Sequence, residues 1–258
     1  MTESIVVDHV SKTFTMQYHR TLKQMAVATV RGLPLNETFQ AVNDVSFTVE
    51  QGESIGLMGL NGSGKSTLLK LINGVMRPDA GTIRTRGRIA GLIATGTGFH
   101  PQLSGRDNLF LNAAILGMSE AETKRKFDEI VDFANLGKFL DTPVSHYSSG
   151  MYARLGFSIA IHVDADIFLA DEVLAVGDKP FKKKCMVKMQ EVRKQGTTIF
   201  YVSHAAASVR AMCDRVLVLE SGHLNFDGGT DEGIRYLQYD DDEASQEELL
   251  DGELGADV

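Results

Sequence analysis

Short apolar runs and stretches of helical spacing follow one another along the chain. The runs have the length and β-branched content of strands, and the Gln51-Gly52-Glu53 turn predicts that the runs on either side of it form a hairpin. The stretch that starts at Lys65 has the spacing of a helix. The predicted order of this part is strands at residues 5–10, 41–49 and 54–58, a helix at residues 65–73, and strands at residues 82–84 and 88–93.

The second half changes from mainly helical to alternating. Residues 106–161 are predicted to be mainly helices, one of which begins at the capping box from Ser119 to Glu122. A strand, a helix and a strand then follow at residues 167–170, 179–194 and 197–202, an order that implies a parallel sheet. The fold class is therefore α/β, with a helical subdomain inserted in the α/β core.

A basic amphipathic segment lies between the first two predicted strands. Its apolar residues recur every three to four positions and its cations fall between them, which predicts a helix ended by Pro34. The apolar positions are Tyr18, Leu22, Met25, Thr29 and Leu33, and the cations are His19, Arg20, Lys23 and Arg31.

Composition and charge narrow the class of protein. The apolar runs are too short to span a bilayer and the first residues lack the pattern of a secretory signal, so we expect a cytoplasmic chain. Cys185 and Cys213 are far apart, so we expect two buried thiols. The net charge is −8, but residues 240–258 hold nine acidic residues and no Lys or Arg, which leaves about +1 for the rest. A nucleic-acid partner is not expected, because the body has no basic stripe.

A glycine-rich loop gives the strongest chemical indication. Gly59-Leu60-Asn61-Gly62-Ser63-Gly64-Lys65-Ser66 fits G-x-x-x-x-G-K-[ST] between a predicted strand and a predicted helix. Backbone N–H groups of such a loop close around a polyphosphate, Lys65 reaches the β and γ phosphates, and Ser66 offers its hydroxyl to Mg²⁺. Thr67 stands where a dinucleotide motif needs a third glycine, and we include it in the nucleotide site. ATP with Mg²⁺ is the predicted ligand; a βα turn without a ligand is the alternative.

Two later strands end in candidate catalytic groups. Asp171 and Glu172 follow a buried run, which suits an Asp that holds Mg²⁺ and a Glu that polarises the attacking water. His204 follows the next run, at the edge of a parallel sheet where ligands gather, and is a candidate contact for the γ-phosphate. A strand with an acidic turn and a structural His are the alternatives.

The order of these motifs resembles the nucleotide-binding domain of ABC ATPases over roughly residues 4–238. Ser148-Ser149-Gly150-Met151 opens a predicted helix and stands in for the family's signature, with Ser149 and Met151 departing from it. The resemblance implies a P-loop NTPase (RecA-like) core, an N-terminal antiparallel β-subdomain and a helical subdomain at about residues 97–162. It also implies that residues 148–150, at a helix start that favours anions, bind the γ-phosphate of ATP on a second copy. A simple Ser cap is the alternative.

Other positions follow from the same resemblance. Asp178 matches the family's D-loop. Phe14 sits about where the family has an adenine-stacking aromatic residue, with Tyr18 as the alternative. Where the family's Q-loop has Gln or Glu, this chain has Ala94, and Gln102 lies nearby.

A narrower resemblance concerns the transported substrate. Residues 147–155, 96–101 and 105–108 resemble ATPases that export lipid-linked polysaccharides such as O-antigen, capsule, teichoic acid or galactan, and residues 17–33 resemble their gate helix. This implies an ATP-hydrolysing subunit that forms a homodimer on ATP binding and works with two permease copies at the cytoplasmic face of the membrane. Residues 1–238 would be the domain and residues 239–258 an acidic, disordered tail. A soluble ABC ATPase acting on nucleic acid or ribosomes, and an importer, are the alternatives.

Overall fold

The computed structural model describes residues 2–17, 36–92, 98–171 and 178–237. Within these ranges the chain forms nine strands and seven α-helices, which we number in chain order. They are β1 Glu3–Gln17, β2 Asn36–Glu50, β3 Ser54–Met58, α1 Lys65–Ile72, β4 Ala80–Thr85, β5 Ile89–Leu92, α2 Gly105–Ile115, α3 Glu120–Ala134, α4 Ser149–Ile161, β6 Ile167–Asp171, α5 Lys179–Lys194, β7 Thr198–Val202, α6 Ala206–Met212, β8 Arg215–Glu220, β9 His223–Gly229 and α7 Thr230–Tyr236.

A six-stranded sheet in the order β5-β6-β7-β3-β8-β9 forms the centre. Its first five strands are parallel neighbours, and β9 pairs antiparallel with β8. Along β7, Ile199 and Tyr201 belong to one apolar cluster, while Phe200 and Val202 belong to the other. Because both faces of the sheet are covered, β3 and β7 are buried at every position rather than at alternate ones, whereas the edge strand β9 alternates.

The predicted hairpin between the second and third strands is wrong. β2 pairs with β1 and β3 pairs with β7 and β8, so the two strands lie in different sheets. All five residues of β3 are buried, which requires cover on both faces. The turn at Gly52, with φ 79°, therefore carries the chain from one sheet to the other.

A smaller antiparallel sheet, β2-β1-β4, packs with α1 over one face of the central sheet. Helices α2 to α7 contribute to the apolar cluster on the other face, and α2, α3 and α4 lie between β5 and β6 as the predicted helical subdomain. The Ser119 hydroxyl accepts the Glu122 N–H at 3.1 Å, as the capping box predicts, while the Glu122 carboxylate pairs with Arg88 at 3.1 Å. Helix α5 has the predicted bounds.

Cys185 and Cys213 are buried, as predicted, and burial raises the pKa of each thiol to about 12. Such thiols stay protonated at neutral pH and are poor nucleophiles. In the part of the chain that the structure describes, no helix is both long and apolar enough to cross a membrane. The predicted basic helix at residues 17–33, apart from residue 17, and the acidic residues 239–258 lie outside the described residues.

Candidate nucleotide-binding site

The glycine-rich loop connects the end of β3 to the start of α1. Gly59 and Gly64 have φ values of 142° and 107°, which favour glycine. A Cβ on either residue would lie 2.1 Å from a backbone oxygen, that of Leu219 for Gly59 and that of Ala41 for Gly64. The loop is also held from the β8–β9 turn, where the Gly222 N–H donates to the Ser63 carbonyl at 3.0 Å. Only glycine fits these two positions, so the motif is a requirement of the local packing.

Lys65 begins α1 and its side chain turns back over the loop. The Lys65 ammonium donates to the carbonyls of Gly59 at 2.7 Å and Leu60 at 2.9 Å, and the residue is only 7% exposed. The buried Ser63 Oγ has no hydrogen-bond partner among the described residues. A positive charge, an orphaned hydroxyl and a helix N-terminus at one place suit a polyphosphate.

A pocket of about 230 Å³ opens beside this loop. The pocket brings together the later part of the predicted loop and the predicted His204, which follows the carboxyl end of β7. Phe14 does not line it. The lining residues are Phe39, Ala41, Asn61, Gly62, Gly64, Lys65, Ser66, Thr67 and His204.

Phe39 was missed by the sequence reasoning, which began the second strand at residue 41. β2 in fact starts at Asn36, and Phe39 is the cross-strand partner of Phe14. Opposite residues of an antiparallel pair lie on the same face of a sheet, so the two rings are neighbours on that face. Phe39 is 47% exposed although it is a large aromatic residue. The sequence indicated this residue only as an aromatic side chain two positions before the apolar run that begins at residue 41.

Asp171 ends β6 beside Val202 of β7, and His204 follows β7 by two residues. Both groups therefore lie at the carboxyl edge of the parallel sheet, where the glycine-rich loop also begins. Glu172, the predicted catalytic base, lies outside the described residues, as do Ala94 and Tyr18.

The residues predicted to hold Mg²⁺ are of a suitable kind. Ser66, in the first turn of α1, has a hydroxyl, and Asp171 has a carboxylate; both are oxygen donors, which Mg²⁺ prefers. The ion would bridge phosphate oxygens and neutralise their charge.

Ser148, Ser149 and Gly150 form the exposed start of α4. The Ser148 hydroxyl accepts the Met151 N–H at 3.2 Å and so caps the helix. Ser148 and Ser149 are exposed, and a Cβ on Gly150 would approach only Ser148 Oγ, at 3.9 Å. None of these three residues lines the pocket described above. The backbone at the start of α4 is thus accessible to a ligand that is bound in a different pocket.

Sequence comparison decides the family. Residues 42–175, more than half of the chain, match the family model described as ABC transporter. The chain belongs to this family. It is 43% identical over 220 residues to the O-antigen export system ATP-binding protein RfbB of Klebsiella pneumoniae, covering 84% of the chain and 89% of that protein. It is 40% identical over 232 residues to the teichoic acids export ATP-binding protein TagH of Staphylococcus saprophyticus, covering 90% and 87%.

Other similar proteins either align over less of the chain or have a lower sequence identity. The ABC transporter protein AbcA of Aeromonas salmonicida is 50% identical over 192 residues, which cover 74% of this chain and 62% of AbcA. Among solved structures, an ATP-binding subunit of an ABC transporter gives a TM-score of 0.72 at 24% identity, covering 92% of this chain and 94% of that one. A dimeric ATP-binding cassette with bound ADP and Pi gives 0.71 at 21% identity, covering 88% and 98%. These structures confirm the predicted P-loop NTPase fold.

In this ABC chain a buried asparagine organises the loop that precedes α2. Asn108 is 0% exposed; its Oδ1 accepts the His100 N–H at 2.6 Å, and its Nδ2 faces the carbonyls of His100, Leu103 and Ser104 at 3.0 Å each. The loop also accepts two hydrogen bonds from the segment before Ser148. The Val144 N–H donates to the Leu103 carbonyl at 3.0 Å, and the Ser145 N–H donates to the Pro101 carbonyl at 2.9 Å. Gln102, the alternative Q-loop residue, is exposed here.

Side chains join the same two segments. Phe99 packs edge-on against Tyr152 of the signature helix, with ring centroids 4.7 Å apart. A Cβ on Gly105 would lie 2.0 Å from the Tyr147 hydroxyl, so the glycine of the 105–108 motif leaves space for the tyrosine of the signature. The sequence motifs at residues 98–108 and 147–152 are therefore parts of one packed unit.

Asp178, the predicted D-loop residue, is also tied to helix α4. It precedes α5, and its carboxylate binds the guanidinium of Arg154 on α4, which holds the pKa of Asp178 below its usual value. The Arg154 guanidinium also lies 5.1 Å from the centre of the Phe181 ring. The start of α5 is thus anchored to α4.

Proposed function

We propose that this chain is the ATP-hydrolysing subunit of an ABC exporter that drives a lipid-linked polysaccharide across the cytoplasmic membrane. The observation that carries the proposal is the phosphate-type pocket, lined by Lys65, Ser66 and His204, in a chain that aligns along most of its length with export subunits. These relatives are named for O-antigen and teichoic acid export, which supports a polysaccharide as the substrate class.

Each group has a role in hydrolysis that suits its position. Loop N–H groups and Lys65 bind and orient the β and γ phosphates, while Glu172 polarises a water molecule for attack on the γ-phosphorus. His204 lines the pocket and contacts the γ-phosphate. The bond to the bridging oxygen breaks, and ADP and phosphate are the products. Phe14 or its neighbour Phe39 packs against the adenine ring.

The complete site needs a second copy of the chain. Ser148 and Ser149 are exposed, Gly150 is half-buried, and none of the three lines its own pocket, so they are available to the γ-phosphate held by a partner. The solved dimer with ADP and Pi, which shares this fold, supports such pairing. The homodimer acts with two permease copies, and this holds it at the cytoplasmic face of the membrane.

The permease docks beside the loop at residues 93–108. Exposed apolar side chains on α2 support this position: Leu111 is 38% and Ile115 59% exposed, near Leu103 at 37%. The basic residues 18–33, which lie outside the described residues, would line the cytoplasmic entrance and meet anionic lipid-phosphate head groups.

Two substitutions test the ATPase. Glu172→Gln should retain ATP, trap the dimer and lower turnover by about 10²-fold or more, since the group that polarises water is lost. Lys65→Ala should weaken ATP binding by about 10- to 100-fold, because a charge-assisted contact of roughly 1.5–3 kcal/mol disappears. Lys70→Ala, at the other end of α1, is the matched control. Wild-type turnover in Glu172→Gln, or unchanged affinity in Lys65→Ala by calorimetry, would refute these roles.

The docking surface needs the assembled transporter. Ile115→Asp should reduce permease-stimulated hydrolysis while ATP binding stays normal, whereas Val75→Asp, at a 70% exposed position on another surface, should not. Charge reversal of residues 19–31 should stop polysaccharide export and leave ATP hydrolysis intact. Normal export by a folded variant of this kind rules out the gate role.

A further inference from the structure

Helix α5 presents a basic outward face. The exposed residues Lys179, Lys183, Val187 and Lys194 are spaced at three- to four-residue intervals or their multiples, so they share one side of the helix. The opposite side, with Phe181, Cys185 and Met189, is buried against the core. Counting Lys and Arg against Glu, the helix has seven cations and one acid: Lys179, Lys182, Lys183, Lys184, Lys188, Arg193 and Lys194 against Glu191.

Some of these cations already have partners in the fold. Lys184 donates to the carbonyls of Asp132 and Phe133, Lys188 pairs with Glu129 at 3.0 Å, and Arg193 pairs with Asp214. Within residues 2–17, 36–92, 98–171 and 178–237, no ion pair involves the outward-facing Lys179, Lys183 or Lys194. Glu191, exposed and three residues before Lys194, lies towards the same side and pairs with Lys188 at 3.7 Å. The outward face therefore carries three lysines against one carboxylate and is net positive.

The chain contains a segment of complementary composition. Residues 240–258 hold nine acidic residues and no Lys or Arg, and Leu249 and Leu250 lie among the acids. The α5 face has a matching arrangement, because Val187, 49% exposed, lies between the lysines. A phosphate group would use the lysines alone, whereas an acidic peptide with leucines also covers the valine.

The acidic segment can reach this face. The segment follows α7, and Asp231 of α7 pairs with Arg210 of α6 at 3.0 Å. Asp214, two residues after the end of α6, binds Arg193 of α5. Helices α5, α6 and α7 contribute to the same apolar cluster and so lie on one face of the central sheet. The 21 residues 238–258 span up to roughly 70 Å when extended, far more than the width of three neighbouring helices at about 10 Å each.

We propose that residues 240–258 bind the outward face of α5 in the same chain, with acidic side chains against Lys179, Lys183 and Lys194 and the leucine pair against Val187. Single exposed ion pairs contribute little, so binding depends on several pairs acting together and is sensitive to salt. This inference does not depend on the transported substrate.

Carbodiimide cross-linking of the full-length chain, read by mass spectrometry, tests the proposal. Carboxylates of residues 240–258 should link to Lys179, Lys183 and Lys194 in preference to the exposed Lys124 and Lys138. The yield should fall about tenfold between about 0.1 M and 1 M salt, as the screening length drops from about 10 Å to about 3 Å. Equal yields at Lys124 and Lys138, or no salt effect, would overturn it.

Charge variants supply the controls. Lys183→Glu with Lys194→Glu removes two of the reactive amines, so the readout is Lys179, whose links to residues 240–258 should become much weaker, whereas Lys124→Glu with Lys138→Glu should leave the Lys179 links unchanged. Replacing the carboxylates of residues 240–248 by amides should also weaken the links from Asp251 to the lysines around Val187 on the α5 face. This variant changes no residue that the structure describes. Mixing isotope-labelled and unlabelled chains separates the sources: links within one chain support the proposal, and links found only between chains overturn it.

Discussion

Two phenylalanines lie side by side at the rim of the nucleotide pocket. Phe39 lines the pocket, and its cross-strand partner Phe14 lies on the same face, with the Lys12 ammonium 5.9 Å from the centre of the Phe14 ring. A cation over a ring already occupies part of one aromatic face. Phe39 is therefore the better placed of the two to pack against an adenine ring.

Replacement of each ring in turn tests this. Phe39→Ala should weaken ATP binding by about tenfold, since stacking of a base on an aromatic side chain contributes roughly 1–3 kcal/mol, and Phe39→Tyr should retain it. Binding of inorganic tripolyphosphate, which has no base, should not change in either variant. If Phe14→Ala weakens ATP binding and Phe39→Ala does not, Phe14 is the stacking residue instead.

At the scale of elements, the loop before α2 and the segment before α4 are joined by Asn108. One N–H and three carbonyls of the loop lie within hydrogen-bond distance of this single buried amide. The loop also accepts hydrogen bonds from Val144 and Ser145, so the two segments are held together a few residues before Ser148.

Asn108→Ala should lower the free energy of unfolding by roughly 1–3 kcal/mol, because the His100 N–H loses its acceptor and three loop carbonyls lose one of their donors. Asn108→Asp, which keeps the acceptor but loses the donor, should also destabilise. Urea unfolding of the purified chain measures both. An unchanged free energy of unfolding in both variants would mean that Asn108 has no special role.

Helix α3 meets the core through a polar stripe at helical spacing. Glu122 pairs with Arg88, Lys126 with Asp164, and Glu129 with Lys188. His162 is buried beside this stripe. Its Nδ1 lies 2.6 Å from the Ser158 carbonyl and its Nε2 3.3 Å from the Glu129 carboxylate, with Lys126 and Lys188 nearby. Burial, the largest effect, lowers the pKa of His162, so we assign a neutral ring that donates from Nδ1.

This assignment predicts how stability depends on pH. As the pH falls through the unfolded pKa of about 6.5, the unfolded chain binds a proton that the folded His162 resists, so stability falls. His162→Gln should flatten this loss between about pH 7.5 and 5.5 in urea unfolding. The pKa of exposed His9 is raised, mainly by its hydrogen bond to Asp44, so its contribution has the opposite sign and is lost as the pH rises. An unchanged slope in His162→Gln contradicts the assignment.

At the scale of the whole molecule, the pocket and the signature of one chain serve different sites in the proposed dimer. Mixing Lys65→Ala copies with Ser148→Arg copies then gives heterodimers with one intact site, because both lesions meet at the other. Wild type mixed with the double variant should give heterodimers with none. Counting trapped nucleotide per isolated heterodimer measures the difference. The reverse result, an intact site only in the second mixture, would mean that each chain forms its own site.

The sequence by itself determined the local parts of this protein. The bounds of α5 and the Ser caps of α3 and α4 depend on neighbours within a few residues, and the glycine-rich loop is recognised from the spacing of Gly59, Gly64 and Lys65. The family follows from the order of such motifs. Short-range geometry is encoded by short-range sequence, so these predictions could be made without the fold.

Only the tertiary structure decided which parts meet. β3 pairs with β7 and β8 rather than with β2, because a strand buried on both faces takes its partners from distant parts of the chain. The same long-range packing placed Phe39 at the pocket and brought Gly105 against Tyr147. Neither contact has a pattern in the sequence, since each depends on burial and on the register between strands or segments that are far apart along the chain.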